Sequence, residues 1–292
     1  MGEGKSKSTS LMDYRTCTVV QGELRLEYYV YGSGQKTIIC MHGHGRGADD
    51  FAFLAAHERK VISIHLFHHG NSVFPENRIE KDPLRTEEFL TLFLEILENE
   101  QVQKFHLFAF SQGGRFSLCL LPEMPERILS LTLISPDGMD NNSFYNWSSR
   151  RPWARRLFVR WEKNPKKLKR LSKIATSLKL MRPKVRTFVN EFSDDRTTFK
   201  RASLTWRGFR MLQPDPLQIG KTIEEHKTPF LIIMGSHDQV IRPKQAYDFA
   251  RRCKLDNVVQ EVNNGHNFFK PTSINKFIQF LPFLDKYLYL LK

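Results

Sequence analysis

The spacing of short apolar runs constrains the fold of this chain more than any other feature. Residues 37–41, 61–66, 105–110, 129–134 and 229–234 are five or six residues long and apolar almost throughout. Short runs as apolar as these suit strands buried on both faces. Helical patterns lie between them. Over 86–98 the residues Phe89, Leu90, Phe93, Leu94 and Leu97 are expected on one side of a helix. A further helix is expected from Gln112, another over 244–252, a strand over 257–262 and a last helix from about Ser273. Strands alternating with helices predict an α/β fold, a mostly parallel central sheet with helices on both faces. Two β-rich runs, 15–20 and 24–31, flank Gln21-Gly22 and predict an antiparallel hairpin at the start.

The alternation stops at Gly138 and resumes after Pro214. Between these points the charge changes abruptly. Residues 150–210 hold 20 Lys/Arg against four acids, a net +16, whereas the other residues hold 25 basic and 27 acidic groups, a net −2. All of the excess in a chain of net charge +14 therefore lies in one insertion. Its pattern is helical. Asn164-Pro165 reads as a cap and first-turn proline, with Leu168, Leu171, Ile174 and Leu178 on one side. Asp194 or Asp195 would cap a second helix that buries Phe199, Ala202, Trp206 and Phe209, and Trp153, Leu157 and Trp161 mark a third. The expected organisation is a disordered amino terminus over 1–10, a core made of 11–138 and 215–292, and a basic helical cap over 139–214.

The core carries the chemistry. In Phe108-Ala109-Phe110-Ser111-Gln112-Gly113-Gly114 a strand meets a helix at a sharp turn with a serine at its apex. Small residues must flank such a turn because strand and helix approach closely, and Ala109 and Gly113 meet that need. On its own the pentapeptide is equally a serine N-cap. A hydroxyl nucleophile needs a base, and the base an orienting carboxylate. Asp238 and His266 each follow an expected strand, in the order Ser, Asp, His. The carboxyl ends of parallel strands share one edge, so these three loops can converge. His42-Gly43-His44-Gly45 follows a strand on the same edge. Backbone N–H groups of His44 and Gln112 are the expected oxyanion donors, each worth ~10²–10³ in rate. Asp137, after the strand 129–134, is the alternative acid.

Taken together, HGHG at 42–45, the turn at 65–72, AFSQGG at 109–114, GSHDQV at 235–240 and NGH at 264–266 resemble the α/β-hydrolase superfamily, in its capped form with a Ser-Asp-His triad. The resemblance spans residues 42 to 266. It implies an α/β-hydrolase fold with an inserted helical cap, and a serine hydrolase cleaving an ester or related acyl bond through an acyl-enzyme, as carboxylesterases, lipases and thioesterases do. It implies no cofactor. Relatives with an aspartate nucleophile are disfavoured because position 111 is serine. Two alternatives stay open: a carbon–carbon bond hydrolase or lyase using the same triad, and an inactive binding protein on the hydrolase fold.

Other features are weighed against duller explanations. His42, His44, His65, His68 and His69 invite a metal site, but they belong to two turns of the family pattern and do not form a ligand spacing of their own; no metal is expected. Cys40 and Cys119 fall on a strand and a helix as buried thiols, and four scattered cysteines make no disulfide framework. The basic cap suits an anionic acyl substrate or a peripheral contact with an anionic membrane, while nucleic acid lacks any accompanying motif. No run reaches the ~18 apolar residues of a membrane span, and the first ten residues lack a signal sequence, so a cytoplasmic location is expected. Gly2 and Ser6 fit the loose acylation pattern, which short Gly/Ser/Lys starts meet by chance.

Overall fold

A computed structural model of the protein describes residues 13–139, 149–163, 165–177 and 195–281. The amino-terminal expectation, Asn164, Leu178 and Asp194 lie outside these residues.

Eight strands form one sheet: β1 (Tyr14–Gln21), β2 (Leu24–Tyr31), β3 (Lys36–Met41), β4 (Arg59–Ile64), β5 (Phe105–Phe110), β6 (Ile128–Ile134), β7 (Phe230–Gly235) and β8 (Val259–Val262). Their spatial order is β1-β2-β4-β3-β5-β6-β7-β8. The hairpin β1-β2 and the pair β2-β4 are antiparallel, and every other pair is parallel. Gly22, at φ +58°, turns the hairpin. The strand order reverses between β3 and β5, where Met41 pairs with Ala109. At such a switch point the connections after the two strands part to opposite sides and leave a crevice.

Along each central strand successive side chains enter different cores. Ile39, Met41, Leu107, Ala109, Leu131, Leu133, Ile232 and Met234 pack beneath α1 (Thr86–Asn99) and α2 (Gln112–Leu120), with α6 (Pro216–His226) and α7 (Pro243–Cys253) beside them. Ile38, Cys40, Phe108, Phe110, Ile134 and Ile233 pack on the other face against the 3-10 turn Ala48–Leu54 and α8 (Pro271–Phe277). Burial on both faces explains why these runs are so largely apolar, and even Ser63, Ser130 and Thr132 within them are buried. Cys40 and Cys119 are buried thiols whose pKa values burial raises, Cys119 to about 11.

Helix α1 buries Phe89, Leu92, Phe93, Ile96 and Leu97, and exposes Leu94. The expected face, with Leu90 and Leu94, is thus rotated by part of a turn. The observed set follows the i, i+3, i+4, i+7, i+8 spacing more closely.

The insertion contributes α3 (Pro152–Lys163), α4 (Pro165–Ser177) and α5 (Arg196–Gly208), with α3 packed against both others. Asp195 caps α5, its carboxylate accepting from the N–H groups of Thr197 and Thr198 at 3.1 and 2.9 Å. Phe199 and Phe209 are buried, and Trp206 meets Phe158 of α3 at 5.7 Å between ring centres. The apolar side expected for α4 is not packed as anticipated. Leu171 and Ile174 are 52% and 48% exposed while Ser172 is buried. On α3, Trp153 is also half exposed. Among the described residues no helix is long and apolar enough to cross a membrane.

Candidate active site

Ser111 lies between β5 and α2 with φ 47° and ψ −114°. That backbone is costly for a residue with a Cβ, typically ~1–3 kcal/mol, and it persists because its surroundings over-determine it. Ser111 N–H donates to Ile134 O on the neighbouring strand at 3.0 Å, and its own carbonyl accepts from Gly114 and Asp137 at 2.9 and 2.7 Å. A Cβ at Gly113 would lie 2.3 Å from Met41 O, and one at Gly114 would lie 2.4 Å from the Pro136 ring. Glycine at both positions therefore lets α2 leave the sheet so sharply that the hydroxyl stands at the turn's apex.

The other two predicted side chains reach this point from the ends of β7 and β8. Gly235 closes the gap between them, since a Cβ there would strike the carbonyls of Asn264 and Gly265 at 2.5 and 2.6 Å. Ser236 N–H and His237 N–H donate across to Val262 O and Asn264 O. Asn264 then braces the histidine loop, donating to Asn267 O and accepting from Ser273 Oγ. Asp238 is fully buried, and its Oδ1 accepts from the N–H groups of Val240 and Ile241 at 2.8 and 2.9 Å. Its Oδ2 accepts from His266 Nδ1 at 2.7 Å. The carboxylate, an acceptor only, fixes the proton on Nδ1 and leaves Nε2 as a base. Ser111 Oγ donates to that Nε2 at 3.1 Å.

Asp137 is elsewhere engaged. Arg115 Nε and Nη2 donate to its two carboxylate oxygens at 2.8 and 2.9 Å, and Gly138 N–H donates to Oδ1 at 2.8 Å. The ring of His266 is held by Asp238, and the alternative acid serves as a partner for Arg115.

The loop after β3 passes directly over the serine. A Cβ at Gly43 would lie 2.7 Å from the Phe110 ring and 3.1 Å from Ser111 Cβ. His42 O accepts from Gly113 N–H at 3.1 Å, tying this loop to the first turn of α2. Gln112 is the first residue of that helix, where N–H groups have no intrahelical acceptor. Gly45 N–H is already used, donating to His69 Nε2 at 2.9 Å.

Residues that sequence reasoning treated only as family turns hold this loop in place. Leu66 N–H donates to His42 Nε2 at 3.1 Å, so His42 carries its proton on Nδ1 and directs it to Gly43 O at 2.7 Å. His69 repeats the device: its Nε2 accepts from Gly45, and its Nδ1 donates to Phe67 O at 3.1 Å. The rings of His44, His69, His42 and His65 follow one another edge to face at 5.5, 4.8 and 5.7 Å. Burial drives His42 down to about 3, with the neighbouring His65, His44 and Arg46 charges adding to it. Burial also takes His69 to about 2, aided by His42 and His44, and His44 to about 4, aided by Arg201. His68, stacked on Phe209 at 6.1 Å, falls to about 4, mainly through burial. Backbone donors occupy the Nε2 lone pairs of His42 and His69, so these two serve as struts of the loop. The recurrence of histidine at 42 and 69, each beside a glycine turn, was the available signal.

The inserted segment meets the core through α5, which packs on the turn after β4 and the residues that follow it. His68 stacks on Phe209, Lys200 pairs with Glu76 at 2.7 Å, and Gly208 O accepts from Leu84 N–H at 3.0 Å. Glu80 accepts from Arg155 of α3 at 2.8 Å and from Arg207 of α5 at 2.9 Å. Arg210 donates to the carbonyls of Ile79, Glu80 and Arg207. Arg156, Arg160, Arg170 and Lys173 are exposed.

Comparison with known proteins gives a family match over residues 36–271, to the alpha/beta hydrolase fold. The dihydrolipoyllysine-residue acetyltransferase component of an acetoin cleaving system from Pseudomonas putida is 32% identical over 124 residues, 41% of this chain and 32% of that protein. The chain spans about a third of the length of the curated relatives it matches. Among solved structures, a thermophilic esterase from Thermogutta terrifontis, malate bound, superposes with a TM-score of 0.59 at 17% identity, covering 89% of this chain and 94% of that one. A thioesterase domain from the curacin biosynthetic pathway superposes with a TM-score of 0.58 at 14% identity, covering 90% and 97%.

Proposed function

Given that the chain belongs to the alpha/beta hydrolase family, we propose that it is a serine hydrolase that cleaves an ester or related acyl bond through an acyl-enzyme. The observation that carries this reading is the unbroken relay from Ser111 Oγ through the His266 ring to Asp238, at 3.1 and 2.7 Å, with the serine held on a strained turn. As Ser111 attacks the carbonyl carbon, its proton passes to His266 Nε2, and the buried Asp238 carboxylate stabilises the imidazolium. The negative charge that develops on the carbonyl oxygen falls to the N–H groups of Gln112 and His44. Collapse breaks the bond to the leaving group, which takes the proton from Nε2. Water, deprotonated by the same nitrogen, then releases the acid and restores the hydroxyl.

Each partner has a reason for its position. Asp238 keeps its second oxygen for two backbone N–H groups, so it orients the ring without surrendering its own hydrogen bonds. His42 and His69 hold the donor loop rigid, which keeps its dipoles aligned before charge develops. The cap closes over the sheet edge and excludes water from the reacting atoms.

Labelling with a fluorophosphonate probe tests the proposal. The wild-type protein is expected to be labelled and Ser111→Ala to lose labelling completely. Equal labelling of the variant refutes Ser111 as nucleophile, and absence of labelling in both refutes the activated serine.

A further inference from the structure

The polarity of helix α4 is reversed among its described side chains. At ~100° per residue, Arg170, Leu171, Lys173 and Ile174 share one side of the helix and Ser172 faces the opposite way. Ser172 is buried and Thr176 half-buried, whereas Leu171 and Ile174 are about half exposed and Arg170 and Lys173 are exposed. Helix α3, packed against α4, carries the same mixture. Its half-exposed Trp153 shares a side with the exposed Arg156, Arg160 and Lys163. Residues 152–177 hold nine Lys/Arg and a single acid. That acid, Glu162, is mostly buried and turned to Arg207 at 3.4 Å, away from the exposed bases. Outside 150–210 the chain is net −2. A face of aliphatic side chains and cations, on a molecule otherwise weakly acidic, matches negative headgroups lying above hydrocarbon. A nucleic acid would use the charges but offers nothing to leucine and isoleucine. Two copies meeting through this face would set like charges against each other.

We propose that α4 docks the protein on an anionic lipid surface, with Leu171 and Ile174 entering the headgroup boundary and Arg170 and Lys173 pairing with lipid phosphates. The exposed bases of α3 add attraction over the Debye length, ~8 Å at physiological salt. Neither part suffices alone. Two half-exposed aliphatic side chains bind weakly without charge, and charge alone holds a protein outside the headgroups. The asymmetry of +16 against −2 turns the insertion toward the surface as the molecule approaches. The proposal stands apart from the hydrolase reading, since no residue of the relay takes part in it.

Co-sedimentation of the full chain with vesicles tests it, without any substrate. Binding is expected to phosphatidylcholine vesicles carrying about 30% phosphatidylglycerol and not to pure phosphatidylcholine, and it should weaken as salt rises to about 0.5 M. Arg170→Gln combined with Lys173→Gln should lower the affinity about 10- to 30-fold. Leu171→Ser combined with Ile174→Ser, which leaves the charge unaltered, should lower it about 10-fold. Leu217→Ser, at a more exposed apolar residue on α6, should change nothing. A polarity-sensitive dye reads the contact directly. It is attached at Leu171→Cys in protein carrying Cys17→Ser, the other native thiols being buried. Its emission should move to shorter wavelength on the anionic vesicles, and that of the same dye at Leu217→Cys should not. Should a double variant fail to fold, the dye at position 171 decides alone. Absence of binding, equal binding to both kinds of vesicle, or anionic binding that ignores Leu171 and Ile174 overturns the proposal. A short single-stranded oligonucleotide that displaces the vesicles, with Leu171 and Ile174 indifferent to its binding, assigns the basic face to nucleic acid instead. A dimer dispersed by the paired serine changes assigns it to a second copy and likewise overturns the lipid surface.

Discussion

Acid should unfold this protein at a pH where most α/β domains are still intact, and the histidines around the donor loop set the size of the effect. In the unfolded chain each imidazole titrates near 6.5, whereas in the fold His42, His44, His68 and His69 are held at about 3, 4, 4 and 2. Burial is the largest cause in each. For His42 and His69 a geometric reason adds to it, because Nε2 accepts a backbone N–H and cannot also take a proton. The folded pKa values are lowered, so the unfolded chain binds more protons and stability falls as pH falls. The contribution is complete above about 6.5 and is lost progressively below it, down to about 4 for His44 and His68 and lower for the other two. Between pH 7 and pH 5 an imidazole that stays neutral in the fold forfeits about 2 kcal/mol. His42 and His69 count in full, and His44 and His68, partly exposed, at half. The sum is about 6 kcal/mol, a large share of the roughly 5–15 kcal/mol that keeps a domain folded. Urea melts at pH 7, 6 and 5 measure it directly. With a slope of about 3 kcal/mol per molar, the midpoint should fall by about 2 M. His69→Gln keeps an acceptor for Gly45 and cannot ionise, so its pH profile should be shallower by one proton. A midpoint that moves by less than about 0.5 M between pH 7 and 5 would refute the reasoning.

Asp238→Asn should leave the fold intact and lower kcat by about 10⁴, because the amide no longer fixes the proton on His266 Nδ1; stopped-flow ester hydrolysis checks it. Asp137→Asn removes the partner of Arg115 but leaves the relay untouched, so fluorophosphonate labelling should persist with a loss of about 1–3 kcal/mol in stability. Labelling abolished by Asp137→Asn while Asp238→Asn retains it would reverse the two assignments. Glu80→Gln leaves the buried guanidinium groups of Arg155 and Arg207 short of charge. It should loosen α3 and α5 from the core by about 2 kcal/mol, seen as faster proteolysis within the cap while β5 and α2 stay protected.

The core was legible because its central strands are buried on both sides and stop abruptly. The run 105–110 can end in a turn only at Ser111, since Gln112 onward is helical and Gly113 and Gly114 tolerate the close approach. Helix α6 was overlooked although Asp215 and Pro216 spell an N-cap and a first-turn proline, and the Asp215 carboxylate does accept from Leu217 N–H. Its apolar content is thin, and its buried residues include Gly220, whose missing side chain admits the Cys253 carbonyl; no hydrophobicity pattern displays that. Leu171 and Ile174 show the reverse case, members of a clear apolar stripe that are about half exposed among the described residues. The work of His69 was hidden for a different reason. It depends on the Gly45 N–H, which a distant segment brings to its Nε2.

The two ends of the insertion meet on a single side chain. Arg115 grips Asp137 as the chain leaves the core and donates to Leu212 O at 2.9 Å as the chain comes back. A Cβ at Gly138, between those points, would lie 3.0 Å from Arg115 Cα and 3.2 Å from the Pro214 ring. Departure and return are thus riveted together one helical turn from Ser111, on a helix whose start that serine fixes. The core consequently sees the same anchorage whatever is spliced between residues 138 and 212.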